Sequence, residues 1–438
     1  MEIIYIKYAI IFIFLLELFL HYYVNYIRDQ YVERVDWHQG RLITNIITFK
    51  DKLPKIDRKR LYGYLLHFYD SEIGSVTKPN TGNIEKHETK TKKIITTSYS
   101  IDSTGSRTNP GHDHLETLIE SYGDSICFGR HANDNETWQY YLSKKLNHHV
   151  RNLAVGNYGI DQALLRFKRD IENDLDGSII IFCVAPETIR RSLSIWKHLY
   201  EFGNTLSFKP RYRLNNGDLS LIKNPVDVSE KFKDIGSIFN SFKNNDEYYT
   251  LKFKKYLWEF PYSISLFRNS YRKLTLLYYF SFHLFYEKFN KDWTKSWMFP
   301  SKSKTMNGIK NLGGLYFDFQ DKLEMYRTDN FVDLTSKIIE EFNHTAKRHN
   351  KIPILVMIPA HYDFEYIKDT GQIYYDSLIN SAKKFMDVVD VGSSLLENYK
   401  DQSLYSEQGF GAHLSPRGNE IVAEVIYNYL ETNILRKL

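Results

Sequence analysis

The rhythm of apolar and polar positions changes several times along this chain, and each change predicts an element. Tyr8 to Leu20 (YAIIFIFLLELFL) is apolar apart from Glu17, and Ile3 to Ile27 is long enough to cross a bilayer core of about 30 Å. Lys7, Glu17 and His21 are costly at depth, whereas Tyr22, Tyr23 and Tyr26 suit an interfacial aromatic belt. No small-residue A-x-A site follows the run, so an uncleaved single-pass anchor over residues 1–28 is expected rather than a signal peptide. Lys7 precedes the apolar core, while Arg28, Arg34 and Arg41 follow it. That count alone would keep the bulk of the chain cytoplasmic.

Residues 29–91 are expected to form a membrane-proximal helix and linker. Leu61, Leu65 and Phe68 share one side of a short amphipathic helix. Ser71 to Asn109, rich in Thr, Lys, Ser and Gly, reads as a linker or exposed hairpin. From Leu115 the patterns alternate in the βα order of a parallel sheet. Leu115–Ser121 and His149–Leu153 predict two strands. The continuous apolar runs Ser178–Val184 (SIIIFCV) and Pro353–Ile358 (PILVMI) predict strands buried on both faces, and Met386–Val391 predicts a fifth. Helices are expected over Glu136–Leu146, Ile160–Leu175, Asp333–His349, Ile373–Lys384 and Gly418–Leu430. The fold class is α/β, a doubly wound parallel sheet, in a domain spanning 92–438 with an insertion at about 190–310. Within the insertion, Asn215-Asn216-Gly217-Asp218 is a hairpin turn. Leu274–Tyr286 (LTLLYYFSFHLFY) is too short for a span, so a lid or amphipathic helix pair is expected, with an interfacial membrane contact as the alternative.

Composition changes this picture little. With 438 residues there is material for a large core, and 42% hydrophobic and 25% charged residues are ordinary for a globular protein. Aromatics reach 16%, through 34 Tyr and 28 Phe, which reflects either AT-rich codon usage or a carbohydrate-facing aromatic surface. The net charge of +5 is spread along the chain, unlike the clustered basic face of a nucleic-acid binder. Cys127 and Cys183 lack metal-ligand spacing and read as two buried thiols, so no metal is expected.

Two distant motifs carry the candidate chemistry. Tyr122-Gly123-Asp124-Ser125 puts a serine on the turn after a strand, and His413-Leu414-Ser415-Pro416-Arg417-Gly418-Asn419 puts a histidine just before a helix opened by proline. A nucleophilic serine needs a base within hydrogen-bond reach, which the fold can bring from anywhere in the sequence. In this order and spacing the two motifs resemble the SGNH (GDSL-type) hydrolase family. The resemblance covers roughly the last three quarters of the chain and is strongest at Glu120–Gly129, Asn152–Gln162 and His413–Ala423. It implies a three-layer α/β/α sandwich of flavodoxin-like type, serine esterase or O-acyltransferase chemistry, and no cofactor.

By that resemblance Ser125 is the nucleophile, His413 the general base, and Asp124 a residue that orients the turn. The Ser125 N–H joins one from Gly156 or Asn157 in the oxyanion hole. Asn157 is favoured, as a residue that tolerates left-handed backbone at the turn apex. The chain departs from the family pattern twice. Where the family has an oxyanion-donating Asn, the strand ending at Val184 runs into Ala185-Pro186-Glu187, and Glu187 would bring negative charge unless Arg190 or Arg191 pairs with it or burial protonates it. Where the family has the Asp of D-x-x-H, Phe410 stands. Glu407 is therefore the first candidate to orient His413, with Asp401, a backbone carbonyl or a bare dyad as alternatives. The expected function is a membrane-anchored serine ester hydrolase or O-acyltransferase acting on an acylated glycan or similar ester, with its catalytic domain outside the cytoplasm. The alternative is an impaired domain that binds glycan or a protein partner.

Overall fold

The computed structural model describes residues 2–34, 53, 56–88, 94–173, 175–200, 204–254, 257–268, 273–275, 277–278, 281–282, 285–286, 319–399, 403–406 and 413–436. The chain forms two compact units. One draws on residues 57–195, 208–230 and 322–438, the other on 1–56, 196–207 and 231–321.

The first unit is built on five strands: β1 (Thr117–Tyr122), β2 (His149–Asn152), β3 (Ile179–Val184), β4 (Ile352–Met357) and β5 (Asp387–Asp390). They lie in the order β2-β1-β3-β4-β5, and every neighbouring pair is parallel. This is a doubly wound sheet whose strand order reverses direction between β1 and β3. The central strands are apolar throughout because helices cover both faces. Ile179, Ile181 and Cys183 of β3, with Ile354 and Val356 of β4, pack with Trp138, Leu142, Ile421, Val422 and Ile426 on one side. On the other, Phe182 stacks on Phe342 with ring centroids 4.2 Å apart, and Phe342 meets Phe167 at 4.5 Å. The helices Trp138–Leu146 and Pro416–Leu430 thus form one outer layer, and Ile160–Ile171 and Asp329–Arg348 the other. The α/β/α sandwich expected from the sequence is present.

Several local expectations are refined. The strands fall within two residues of their expected bounds, and the second helix stops at Ile171. The helix His361–Thr370 was not expected. It buries Asp363, Phe364 and Ile367, too thin a stripe to show as a period. The segment 71–109 contains an antiparallel hairpin, Gly82–Glu88 with Ile94–Ser100. A second hairpin pairs Arg211–Asn215 with Asp218–Ile222 across Asn216-Gly217, both left-handed as a type I′ turn requires. The short helix Arg58–His67 holds Leu61 and Leu65 half-buried.

The second unit contains the helix Glu2–Arg34, whose stretch Ile4–Tyr26 is long and apolar enough to cross a membrane, with mean hydropathy 1.9. It also contains the helices Ile235–Phe242 and Tyr262–Phe267. Trp196 packs there against Phe239 and Phe242. Residues 276, 279–280 and 283–284 of the expected lid or helix pair over Leu274–Tyr286 lie outside the described residues.

Candidate active site

The turn after β1 is set by Gly123. A Cβ there would stand 2.6 Å from the Cys183 carbonyl oxygen and 2.7 Å from the Cys127 Cβ, so β1 approaches the end of β3 only because this residue has no side chain. Asp124 then caps the one-turn helix Ser125–Phe128. Its Oδ1 accepts the Ile126 N–H at 2.9 Å and the Cys127 N–H at 3.4 Å. That cap fixes Ser125 as the first helical residue, beyond the carboxyl end of the sheet and 4% exposed. The turn closes through Gly129, whose φ of 74° is left-handed.

His413 is held from the other end of the chain. The Ser406 N–H donates to the His413 carbonyl and the Ser415 N–H to the Leu404 carbonyl, both at 2.9 Å. Ser415 also caps the helix Pro416–Leu430 by accepting the Gly418 N–H at 3.0 Å. A Cβ on Gly418 would fall 2.0 Å from the Leu404 carbonyl oxygen, so this glycine admits the 404 segment against the helix start. The result brings His413 Nε2 to 2.9 Å from Ser125 Oγ, across 288 residues of sequence. His413 is 8% exposed. Glu407, Asp401 and Phe410 lie outside the described residues.

Asn157 and Gly156 follow β2, on the same edge of the sheet. Asn157 has φ 73°, the left-handed conformation that its residue type tolerates, and it is exposed while Gly156 is half-buried. Around them the Val155 N–H goes to the Gly123 carbonyl at 3.1 Å and the Tyr158 N–H to the Val155 carbonyl at 3.3 Å. The serine turn and the β2 loop are thereby tied together.

Glu187 enters the same neighbourhood from the 3-10 turn after β3. Its carboxylate is paired. Arg191 Nη2 donates to Oε1 at 3.1 Å, Lys322 Nζ lies 3.9 Å from Oε2, and Arg190 approaches at 4.0 Å. Arg191 also reaches Asp124 Oδ2 at 3.3 Å and donates to the Tyr158 carbonyl at 3.0 Å. One guanidinium therefore links the serine turn, the β2 loop and Glu187. Burial pushes the Asp124 carboxyl above the ordinary carboxylate range; Arg191 pulls against that, and the charge on Glu187 adds to it. Burial also pushes the Cys183 thiol well up, next to Cys127, so this buried sulfur does not resemble a reactive thiolate.

Sequence reasoning missed His131. It follows the serine turn with φ 73° and 6% exposure, and its ring meets that of His413 edge-on at 4.6 Å between centroids. Nothing in Gly129-Arg130-His131 signals this, because the left-handed bend that aims the ring is a property of the folded turn.

No protein-family model matches this chain, and no curated protein does. Among solved structures, the chain is similar to one described as "a putative lipolytic protein of G-D-S-L family from Desulfitobacterium hafniense DCB-2". The two are 12% identical with a TM-score of 0.30, over 71% of this chain and 98% of that one. At those values the likeness carries nothing about activity.

Proposed function

We propose that this protein is a membrane-anchored serine ester hydrolase or O-acyltransferase that forms an acyl-enzyme on Ser125, with an acylated glycan or similar ester as substrate. The observation that carries the reading is the 2.9 Å contact between Ser125 Oγ and His413 Nε2 beyond the carboxyl ends of β1 and β3. His413 Nε2 takes the hydroxyl proton as Oγ bonds to the ester carbonyl carbon, and the carbonyl oxygen becomes an oxyanion. The N–H groups of Ser125 and of Asn157 or Gly156 receive that charge. Collapse expels the alcohol, which takes the proton from His413. Water or an acceptor hydroxyl then enters by the reverse sequence and regenerates Ser125. Glu407 is our candidate for orienting His413. The anchor reading is supported by the Ile4–Tyr26 helix, and we assign the catalytic domain to the extracytoplasmic side.

One observation favours a second reading. Glu187 stands near the serine turn with its carboxylate held by Arg191, and a carboxylate cannot donate to an oxyanion. A domain that binds an acylated glycan without cleaving it would tolerate this. Labelling of the detergent-solubilised full chain with a fluorophosphonate decides. The hydrolase reading expects labelling of the parent and none of Ser125→Ala or His413→Ala, each still folded by circular dichroism. A parent that does not label, or a Ser125→Ala variant that does, sinks it.

A further inference from the structure

The candidate span is not uniformly bare. Residues 4–15 are exposed on every side, but from Leu16 one face is covered. Leu20 and Val24 are 2% and 1% exposed, and with Glu17 they lie at i, i+3 and i+7 of one helix face. The cover comes from the insertion in the same unit. Glu17 Oε1 accepts the Tyr262 N–H at 2.5 Å and Oε2 the Ser263 N–H at 2.7 Å. His21 meets the Tyr262 ring at 5.9 Å, and the Tyr23 hydroxyl donates to the Leu277 carbonyl at 3.3 Å.

The covering segment holds Lys273, Ser263 and Ser265 inside, together with Leu257, Trp258, Tyr262 and Leu266, and turns several large apolar side chains outward. Lys273 is 3% exposed, and its ammonium donates to the Leu257 carbonyl and Ser265 Oγ, both at 3.0 Å, and to the Ser265 carbonyl. Ser265 Oγ also donates to the Leu257 carbonyl at 2.9 Å and accepts the Glu259 N–H at 3.2 Å. The Leu257 and Ser265 carbonyls and the Glu259 N–H are thus answered by the segment's own side chains, as non-helical chain at membrane depth requires. Outward, Phe267 is 75% exposed, Phe260 68%, and Ile264 and Leu274 52% each. Arg268 borders this face, 3.8 Å from Glu259, where a long cationic stem can reach the headgroups.

Depth follows from position on the helix. Glu17 lies nine residues before Tyr26, the end of the apolar stretch, which is about 14 Å at the rise of an α-helix. Whatever is hydrogen-bonded to Glu17 shares its depth. We infer that the part of the insertion formed by Leu257–Arg268 with Lys273 and Leu274 is a second membrane-embedded element, an aromatic wedge seated in the leaflet around the C-terminal half of the span and stapled there by Glu17. This rests on the reading of Ile4–Tyr26 as a span. It also explains why a glutamate is tolerated there, since its carboxylate is spent on two backbone donors.

The test is collisional quenching on the full chain in vesicles of phosphatidylcholine and phosphatidylglycerol. Variants that each add one exposed cysteine, Phe14→Cys, Phe267→Cys and Lys384→Cys, are labelled with an environment-sensitive maleimide that does not reach the buried Cys127 and Cys183. Doxyl-labelled lipid and aqueous iodide serve as quenchers. The inference expects the Phe267→Cys probe to follow Phe14→Cys, with lipid quenching about three-fold or more above Lys384→Cys and little quenching by iodide. Adding Glu17→Ala should move the Phe267→Cys probe toward iodide while leaving Phe14→Cys in lipid. A Phe267→Cys probe that behaves like Lys384→Cys while Phe14→Cys stays in lipid overturns the wedge and spares the span. If Phe14→Cys is itself open to iodide, the span fails and the wedge with it.

Discussion

At the scale of single residues, the buried charges are the most informative, because each is costly unless something answers it. Glu120 in β1 is fully buried, with Oε1 accepting from Arg151 at 3.1 Å and from the Gly177 N–H at 3.2 Å. Burial pushes its carboxyl above the ordinary value, with Arg151 opposing. A raised acid means that the folded chain holds the proton more tightly than the unfolded one. Stability should then fall as pH rises from about 4.3 to the raised value, and level off above it. Glu120→Gln keeps an acceptor for Gly177 and Arg151, and Arg151 retains Asp176 at 2.9 Å. Urea unfolding of this variant is expected to lose that slope while staying within about 1 kcal/mol of the parent at pH 8. Asp124 differs, because its carboxylate is a cap. Asp124→Asn keeps the acceptor for Ile126 and Cys127, whereas Asp124→Ala should lower stability by about 1 kcal/mol more, read from the same unfolding curves.

At the scale of elements, the site depends on two close approaches that only glycine allows. Gly123→Ala would drive a methyl into the Cys183 carbonyl and the Cys127 side chain, at the junction of β1 and β3. It is expected to destabilise by about 1–3 kcal/mol and to displace Ser125 as well. Gly418→Ala instead meets the Leu404 carbonyl, which belongs to the segment holding His413. It should therefore leave the sheet folded by far-UV circular dichroism yet sharply reduce fluorophosphonate labelling. Full labelling would show that the His413 loop does not depend on that contact. These contrasts mark what was legible in the sequence. Strands β3 and β4 announced themselves because an apolar run buried on both faces needs no partner to be recognised. Ser125 and His413 could be named because motif and helix start coincide. The pairing of Arg191 with both Asp124 and Glu187 could only be half seen, since i+4 spacing suggests Glu187 and nothing suggests Asp124. His131 was invisible because backbone twist, not residue pattern, turns it toward His413.

At the scale of the whole molecule, the two units should respond differently to loss of residues 1–28. A simple anchor would meet lipid alone, but Leu20 and Val24 are buried, the helix packs on Tyr262–Phe267 of its own unit, and Glu17 holds the start of that helix. Removing the segment strips cover worth about 1.5–3 kcal/mol for each buried aliphatic side chain and leaves two backbone donors unanswered. The sheet, Ser125 and His413 all belong to the other unit, which loses none of these contacts. The truncated chain is therefore expected to aggregate on size-exclusion chromatography without detergent, and to return to a single species in it. Its fluorophosphonate labelling in detergent should stay within about two-fold of the full chain, because serine reactivity follows the geometry of the nucleophile and its base. A truncated protein that runs as a monomer without detergent would mean that the covered face of the helix contributes little to its unit. Labelling lost in detergent, with the far-UV spectrum unchanged, would mean that the surroundings of Ser125 depend on the unit that carries the helix Glu2–Arg34.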